Sequence, residues 1–325
     1  MRARNLVPGL AASALAVVVS MLVNAAVPVL SALLVAILLG ILAANLLRLP
    51  ASLAPGLQFA SKRLLRIGIV LLGLQLAVGD IVALGLGTIV VVVAVVTIGM
   101  FATCAMGRRM GMTAMQSLLM ASGFSICGAA AVAAAGSVVD AEEEDVATAL
   151  AMVVLFGTVV IPLVPLFGRL FGLDDLTTGL WAGASVHEVA QVVAIGGSIS
   201  AAALSAAVVV KLARVLMLAP VMAVLSWRRR RTMAGLQTKL PPIVPLFIAG
   251  FIAMVALRSV EIVPAPVLDV VKWIQTALLA AAMFALGTGV KASIFKRVGS
   301  KPLVLGAAST TVVGAVGLGG VLLLA

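Results

Sequence analysis

Four ionisable side chains fall inside stretches that are otherwise almost wholly apolar: His187 and Glu188, then Lys211 and Arg214. A charge at the centre of a bilayer costs about 2.5–3.5 kcal/mol even on a permissive insertion scale, so such residues usually face a site or a partner. Lys211 and Arg214 are three apart and share a helix face, while His187 and Gln191, four apart, project together. One acid, two bases and a histidine suit the binding of an ion coupled to the movement of a proton. Each residue also has a plainer reading. Glu188 closes a Ser185-Val-His-Glu188 run that fits a capping box, and His187 suits a hydrogen-bonded core position. The long stems of Lys211 and Arg214 could carry their charges to the outer interface.

The segment holding His187 and Glu188 has a near-copy sixty positions upstream. GFSICGAAAVAAAG (123–136) and GASVHEVAQVVAIG (183–196) match at Gly123/Gly183, Ser125/Ser185, Ala130/Ala190, Val132/Val192, Ala134/Ala194 and Gly136/Gly196. Each begins with Gly and Ser where lipid would demand an unbroken helix, and open backbone groups at membrane depth are tolerated only around a protein-enclosed cavity. Paired interruptions of this kind point to a transporter's binding site. Gly123 and Gly183 are therefore expected as helix breaks. Ser125, Ile126, Cys127, Gly128, Ser185, Val186, His187 and Gln191 are expected around the substrate, with Glu188 and His187 as proton-coupling groups. Alone, either segment would read as a Gly/Ala-rich packing helix; repetition favours the site.

The expected charge of that site follows from helix ends. A restarted helix presents open N–H groups and roughly +0.5 of an elementary charge. Two such ends, with Lys211 and Arg214 as charge-compensating residues, make a positive cavity that one carboxylate offsets only in part. An anion is favoured over sodium. Beside a bound dianion Glu188 should take up a proton, and when the anion leaves it would return to an ion pair with Lys211.

The elements that hold these residues are membrane helices. Of 325 residues 63% are hydrophobic and 10% charged, and the mean hydropathy is +1.29. Apolar runs of about 20 residues recur along the chain, leaving no room for a sizeable soluble domain. Eleven spans are expected: 8–25, 29–47, 65–84, 86–107, 114–138, 146–170, 178–199, 203–226, 243–259, 268–290 and 302–324. They form one transmembrane domain over 1–325, with halves of about 1–171 and 178–325. The first span resembles a signal peptide but reads as a retained helix. Thr113-Ala-Met-Gln116 should open the fifth span, running to about Ser122, loosening through Gly123–Gly128 and resuming to Val138. The seventh should restart at Val186.

Basic residues orient the chain. With the N-terminus inside, Arg2, Arg4, Arg48, Lys62, Arg63, Arg66, Arg108, Arg109, Arg169, Arg228 to Arg231, Lys239, Lys291, Lys296, Arg297 and Lys301 are cytoplasmic. Arg258 and Lys272 lie near the outer face. Asp80, Asp140, Glu142 to Asp145, Glu261, Asp269 and the C-terminus then fall outside. The net charge of +11 needs no nucleic acid, since a basic loop after Trp227 suits anionic lipid. Cys104 and Cys127 offer neither a disulfide framework nor a metal site. A weaker likeness links LLGLQLAVGDIVALG (71–85) to ALGTGVKASIFKRVG (285–299), in spans of opposite direction as an inverted repeat requires. The stronger pair conflicts with that scheme, because spans five and seven both run outward.

Four segments resemble the YeiH-type sulfate exporters, bacterial inner-membrane proteins also grouped as UPF0324 membrane proteins: LLRIGIVLLGLQLAVGDI (64–81), GFSICGAAAVAA (123–134), LWAGASVHEVAQVVA (180–194) and VVKLARVLMLAP (209–220). The resemblance covers nearly the whole chain. It implies the cation:proton antiporter and anion-transporter fold group, with inverted repeats and unwound helices near the membrane centre.

The reading is thus an all-α polytopic inner-membrane protein with discontinuous helices in the 123–136 and 183–196 regions. It is a secondary transporter exporting a small, sulfate-like anion with protons. Its expected partners are that anion, protons and membrane lipid; homo-oligomer formation is left open, and no cofactor, metal or nucleic acid is expected. A sodium/proton antiporter of the same fold and a passive anion channel are the alternatives. An intramembrane enzyme lacks a paired-aspartate, HExxH or GxSxG motif.

Overall fold

Apolar runs this long form helices because a membrane supplies no partner for an open backbone. The structure, a computed structural model, describes residues 5–27, 30, 32–47, 49–83, 85–233, 246–289 and 299–324, all in helices or their connections. In chain order they are α1 (Val7–Ala26), α2 (Ala32–Leu46), α3 (Ala54–Phe59), which passes through a wide turn at Ala60–Leu64 into α4 (Leu65–Leu72), then α5 (Val78–Ala83) and α6 (Gly85–Arg109). The centre of the sequence gives α7 (Ala114–Ser122), α8 (Ala129–Val139), α9 (Glu143–Leu170), α10 (Asp175–Ser185), α11 (Val189–Ile199), α12 (Ala201–Leu216) and α13 (Leu218–Met233). After these come α14 (Leu246–Ser259), α15 (Ala265–Gly287) and α16 (Lys301–Leu324). Among the described residues six elements are long and apolar enough to cross a membrane: α1, α6, α9, the α12–α13 pair, α15 and α16. The 71–85 and 285–299 likeness falls partly outside the described residues, as do Arg2, Arg4, Arg48, Lys239, Lys291, Lys296 and Arg297.

The chain forms two compact units. One comprises Met1–Gln75 with Gly250–Gly299; the other comprises Leu76–Ala249 with Ser300–Ala325. In the first, glycine lets backbones meet: a Cβ on Gly40 of α2 would lie 3.0 Å from the Gly287 Cα of α15.

The second unit contains every residue of the expected site. Its frame is the pair α6 and α16, packed antiparallel. Thr103 Oγ1 lies 2.9 Å from Ser309 Oγ, and nearer the other end Gly320 faces Val91.

The two repeated segments are hairpins. Leu119 on α7 lies against Gly136 on α8, and Gly123 lies against Val132. Seventeen residues of straight helix would separate Leu119 from Gly136 by about 25 Å. The second segment does the same. Gly179 of α10 and Gly196 of α11, also seventeen apart, both press on the Ala203 carbonyl at the start of α12. Trp181, Ala182, Val186, Val192 and Ile195 from both arms close one apolar cluster with Val164 of α9. Expected spans five and seven are therefore not straight rods. The reason is at the tips: Gly128 takes φ +79° in the first, and Val186 and Glu188 are extended on either side of a bend at His187 in the second.

Those tips correct two expectations. Gly123 and Gly183 do not break helices. Gly123 keeps helical dihedrals in a wide turn at Gly123–Cys127, and Gly183 lies within α10. Their missing side chains serve packing instead: a Cβ on Gly123 would meet Val132 and Val153, and one on Gly183 would meet Ala207 and Val210. The second helix restarts at Val189, three residues after Val186. The first segment otherwise follows the sequence, with Thr113 Oγ1 accepting from the Gln116 N–H at 3.0 Å.

Candidate functional site

A hairpin tip leaves two sets of backbone groups open: carbonyls where the first arm ends and N–H groups where the second begins. Two tips meet in this unit, so both sets occur twice, fully buried. The sequence answers each set with a side chain of opposite charge.

The carbonyls are held by Lys211 and Arg214, both 0% exposed. Lys211 Nζ donates to Ile126 O at 3.0 Å and to Val186 O at 2.8 Å, carbonyls that are equivalent in the sixty-residue repeat. Arg214 reaches both tips. Its Nη1 donates to Ala184 O at 2.8 Å and Val186 O at 3.0 Å, with Gly183 O at 3.5 Å. Its Nη2 donates to Phe124 O at 3.1 Å and Ser125 O at 2.8 Å, and Nε donates to Ser125 O at 3.2 Å. Cations are favoured at helix C-termini, and the planar guanidinium fork serves two strands of carbonyls at once.

The N–H groups are held by Glu188. Its Oε1 accepts from Ala129 N, the first amide of α8, at 3.1 Å. It is also the N-cap of α11, where its carboxylate takes the Gln191 N–H while Gln191 Oε1 accepts from Glu188 N at 3.1 Å. The capping box thus joins Glu188 to Gln191, not Ser185 to Glu188; Ser185 Oγ donates to Trp181 O inside its own helix at 2.6 Å. In the repeat Glu188 corresponds to Gly128. A Cβ on Gly128 would run into Glu188 Cγ, so one tip carries the acid and the other leaves space for it.

His187, 0% exposed, has both ring nitrogens engaged: Nε2 lies 3.0 Å from Thr310 Oγ1 on α16 and Nδ1 lies 3.3 Å from Phe124 O. Its ring meets Phe124 edge-on at 4.7 Å. Ser125 Oγ and Gln191 Nε2 are buried without a partner; Ser125 faces Gly99 and Gln191 faces Gly157. Cys104 and Cys127 are free thiols.

The sequence reading is corrected here in two respects, and one of its plainer alternatives falls away. Lys211 and Arg214 do not reach an interface. They compensate carbonyl ends rather than facing an open cavity, because helix C-termini meet at the tips as well as N-termini. Among the described residues Glu188 makes no ion pair with either cation; the only ion pair found joins Arg229 to Asp140 at 3.3 Å. Thr310 and Gly157 were not anticipated, since a lone Thr or Gly on an apolar helix carries no signal in sequence. Ile126 and Val186 take part through their carbonyls alone.

Along α16 the two hairpins separate by depth. The first meets its early turns, with Phe124 beside Gly306. The second meets later turns, where Trp181 Nε1 donates to Gly314 O at 2.9 Å and Gly317 touches Ala184 and Ser185.

Helices of this length and apolarity, folded around a buried polar centre, define a polytopic all-helical membrane protein among the described residues. The chain belongs to the UPF0324 membrane protein family. The family model described as Conserved hypothetical protein 698 matches residues 8–306. A UPF0324 membrane protein of Corynebacterium glutamicum is 52% identical over 97% of this chain and 92% of its own length. One from Pseudomonas aeruginosa is 40% identical over 94% and 90%. The UPF0324 inner membrane protein YeiH of Salmonella typhimurium is 37% identical over 93% and 89%. No solved structure matches the chain.

Proposed function

We propose that this protein is a secondary active transporter of the inner membrane that exports a small oxyanion, sulfate-like in charge and size, coupled to protons. The observation that carries it is the meeting of two interrupted hairpins on one buried cluster of Glu188, His187, Lys211 and Arg214. Interrupted helices with open ends at membrane depth are the mark of alternating-access sites. Sodium/proton exchange is disfavoured by one contact set: carbonyls that would hold a sodium ion already hold Lys211 and Arg214.

The hairpins also suggest how the repeat is inverted. If each enters and leaves by one face, the crossings are α1, α2, α3–α4, α6, α9, α12–α13, α14, α15 and α16. The hairpin 114–139 then dips in from the cytoplasm and 175–199 from outside. Nine crossings keep the N-terminus inside and the C-terminus outside. Arg228 to Arg231 and Lys301 stay cytoplasmic; Arg169 moves outside and Asp140 to Asp145 move inside. Acidic residues weigh little in the charge rule, so the inversion no longer conflicts with it. The Arg229–Asp140 contact supports this, since both residues then lie on one face.

The test is flux in liposomes holding purified protein and sulfate, sulfite or an organosulfonate, with the proton gradient imposed and then abolished. Anion movement that follows the gradient is expected. Sodium movement with no anion requirement would defeat the reading.

A further inference from the structure

The reading above leaves one question that the tips answer: where an anion would sit when both cations are already engaged. Arg214 reaches five carbonyls and Lys211 two, so neither is available without opening both hairpins. The opposite pole is different. There Ala129 N of α8 and Gln191 N in the first turn of α11 converge on the Glu188 carboxylate.

We propose that the joined first turns of α8 and α11 are an anion seat, filled in this conformation by the protein's own Glu188, and that a small oxyanion takes the seat when Glu188 is protonated and turns away. The inference rests on the transport reading and names the site within it. Two observations beyond the helix ends support a ligand there. Gln191, 2% exposed, holds Glu188 N through Oε1 while its Nε2 is buried with no partner, a donor that a second oxygen would satisfy. Gly128 keeps the seat's wall free of any side chain, and Glu188 Cγ fills that space.

For a monoanion such as formate the exchange conserves charge, and a dianion such as sulfate leaves the seat one negative charge richer. Protonation makes Glu188 a neutral carboxyl, which accepts from amides roughly half as strongly as a carboxylate; the arriving anion restores the negative charge between the two helix N-termini. Glu188 is faced by Lys211 from α12 and Cys127 from the other tip, with His187 next to it in its own. Lys211 favours a negative charge in the seat whichever group supplies it.

The test is thermal unfolding of purified protein in detergent with formate or sulfate, against chloride at matched ionic strength, at neutral and mildly acidic pH. Glu188→Ala opens the seat, so formate should raise its Tm by several degrees at both pH values, while wild type should respond only in acid. No stabilisation of Glu188→Ala beyond the chloride control, or an equal response of wild type at neutral pH, would overturn the proposal. Should Glu188→Ala fail to fold, Glu188→Gln keeps an acceptor for the cap without the charge. Its anion response should not change with pH, and a wild-type pH dependence in that variant would sink the idea. Transport that persists while no anion stabilises either variant removes this seat alone. Stabilisation without transport removes the transport reading and leaves the seat.

Discussion

Arg214 is the clearest case of a side chain whose surroundings dictate its role. It is fully buried and every N–H group it has points at a carbonyl from one hairpin tip or the other. Removing it leaves buried carbonyls without a donor, which costs on the order of 1–3 kcal/mol for each one left unsatisfied. Arg214→Met should lose that much, and Arg214→Lys most of it, because an ammonium lacks the fork. Chemical or thermal unfolding in detergent measures this, and a change below about 1 kcal/mol would show that the tips hold without it. Gly128 makes a second case. Its φ of +79° disfavours any side chain, and Glu188 fills the space beside it. Gly128→Ala should cost about 1–3 kcal/mol, and Gly128→Ala with Glu188→Ala should cost less than the two separately. Strict additivity would mean that Glu188 is not what the alanine meets.

At the scale of elements, the proposed re-entrant course of the hairpins changes which ends of helices share a face. Cysteines placed singly at Glu143 and Asp174, in a background with Cys104 and Cys127 replaced, give opposite answers under the two topologies. Re-entrant hairpins put position 143 with the cytoplasmic basic residues and 174 outside. Straight spans put 143 outside and 174 inside. A membrane-impermeant thiol reagent applied to cells should therefore label 174 and spare 143. Labelling of 143 alone would restore the eleven straight spans and remove the inverted arrangement of 114–139 and 175–199. The physical basis is close packing: Gly136 against Leu119 lets the arms of the first hairpin lie side by side, and Gly179 and Gly196 bring both arms of the second onto Ala203 at the start of α12, which bulkier residues would prevent.

For the whole molecule the proposed transport predicts coupling between two gradients. A carboxylate that must gain a proton before an anion can enter ties the two fluxes together, and an amide in its place unties them. Glu188→Gln in liposomes should therefore carry the anion down its own concentration gradient with little response to an imposed proton gradient. Flux as dependent on the proton gradient as in wild type would remove Glu188 from coupling and shift attention to His187, whose ring nitrogens face Thr310 and Phe124 O.

The sequence alone settled the helical, membrane-embedded character of the chain, the family, the repeat, and the residues that meet at the centre. Those are properties of composition and local pattern. Apolar runs admit only helices in lipid, and His187, Glu188, Lys211 and Arg214 stand out because charge in such runs is costly. The sequence could not show that each repeat doubles back, since a Gly-containing interruption looks the same whether the helix continues or reverses. Nor could it show which helix ends each charge faces. Folding back brings carbonyl ends and amide ends to the same depth, so Lys211 and Arg214 are claimed by the first and Glu188 by the second. That pairing depends on contacts between residues sixty to ninety positions apart, and only the tertiary structure decides it.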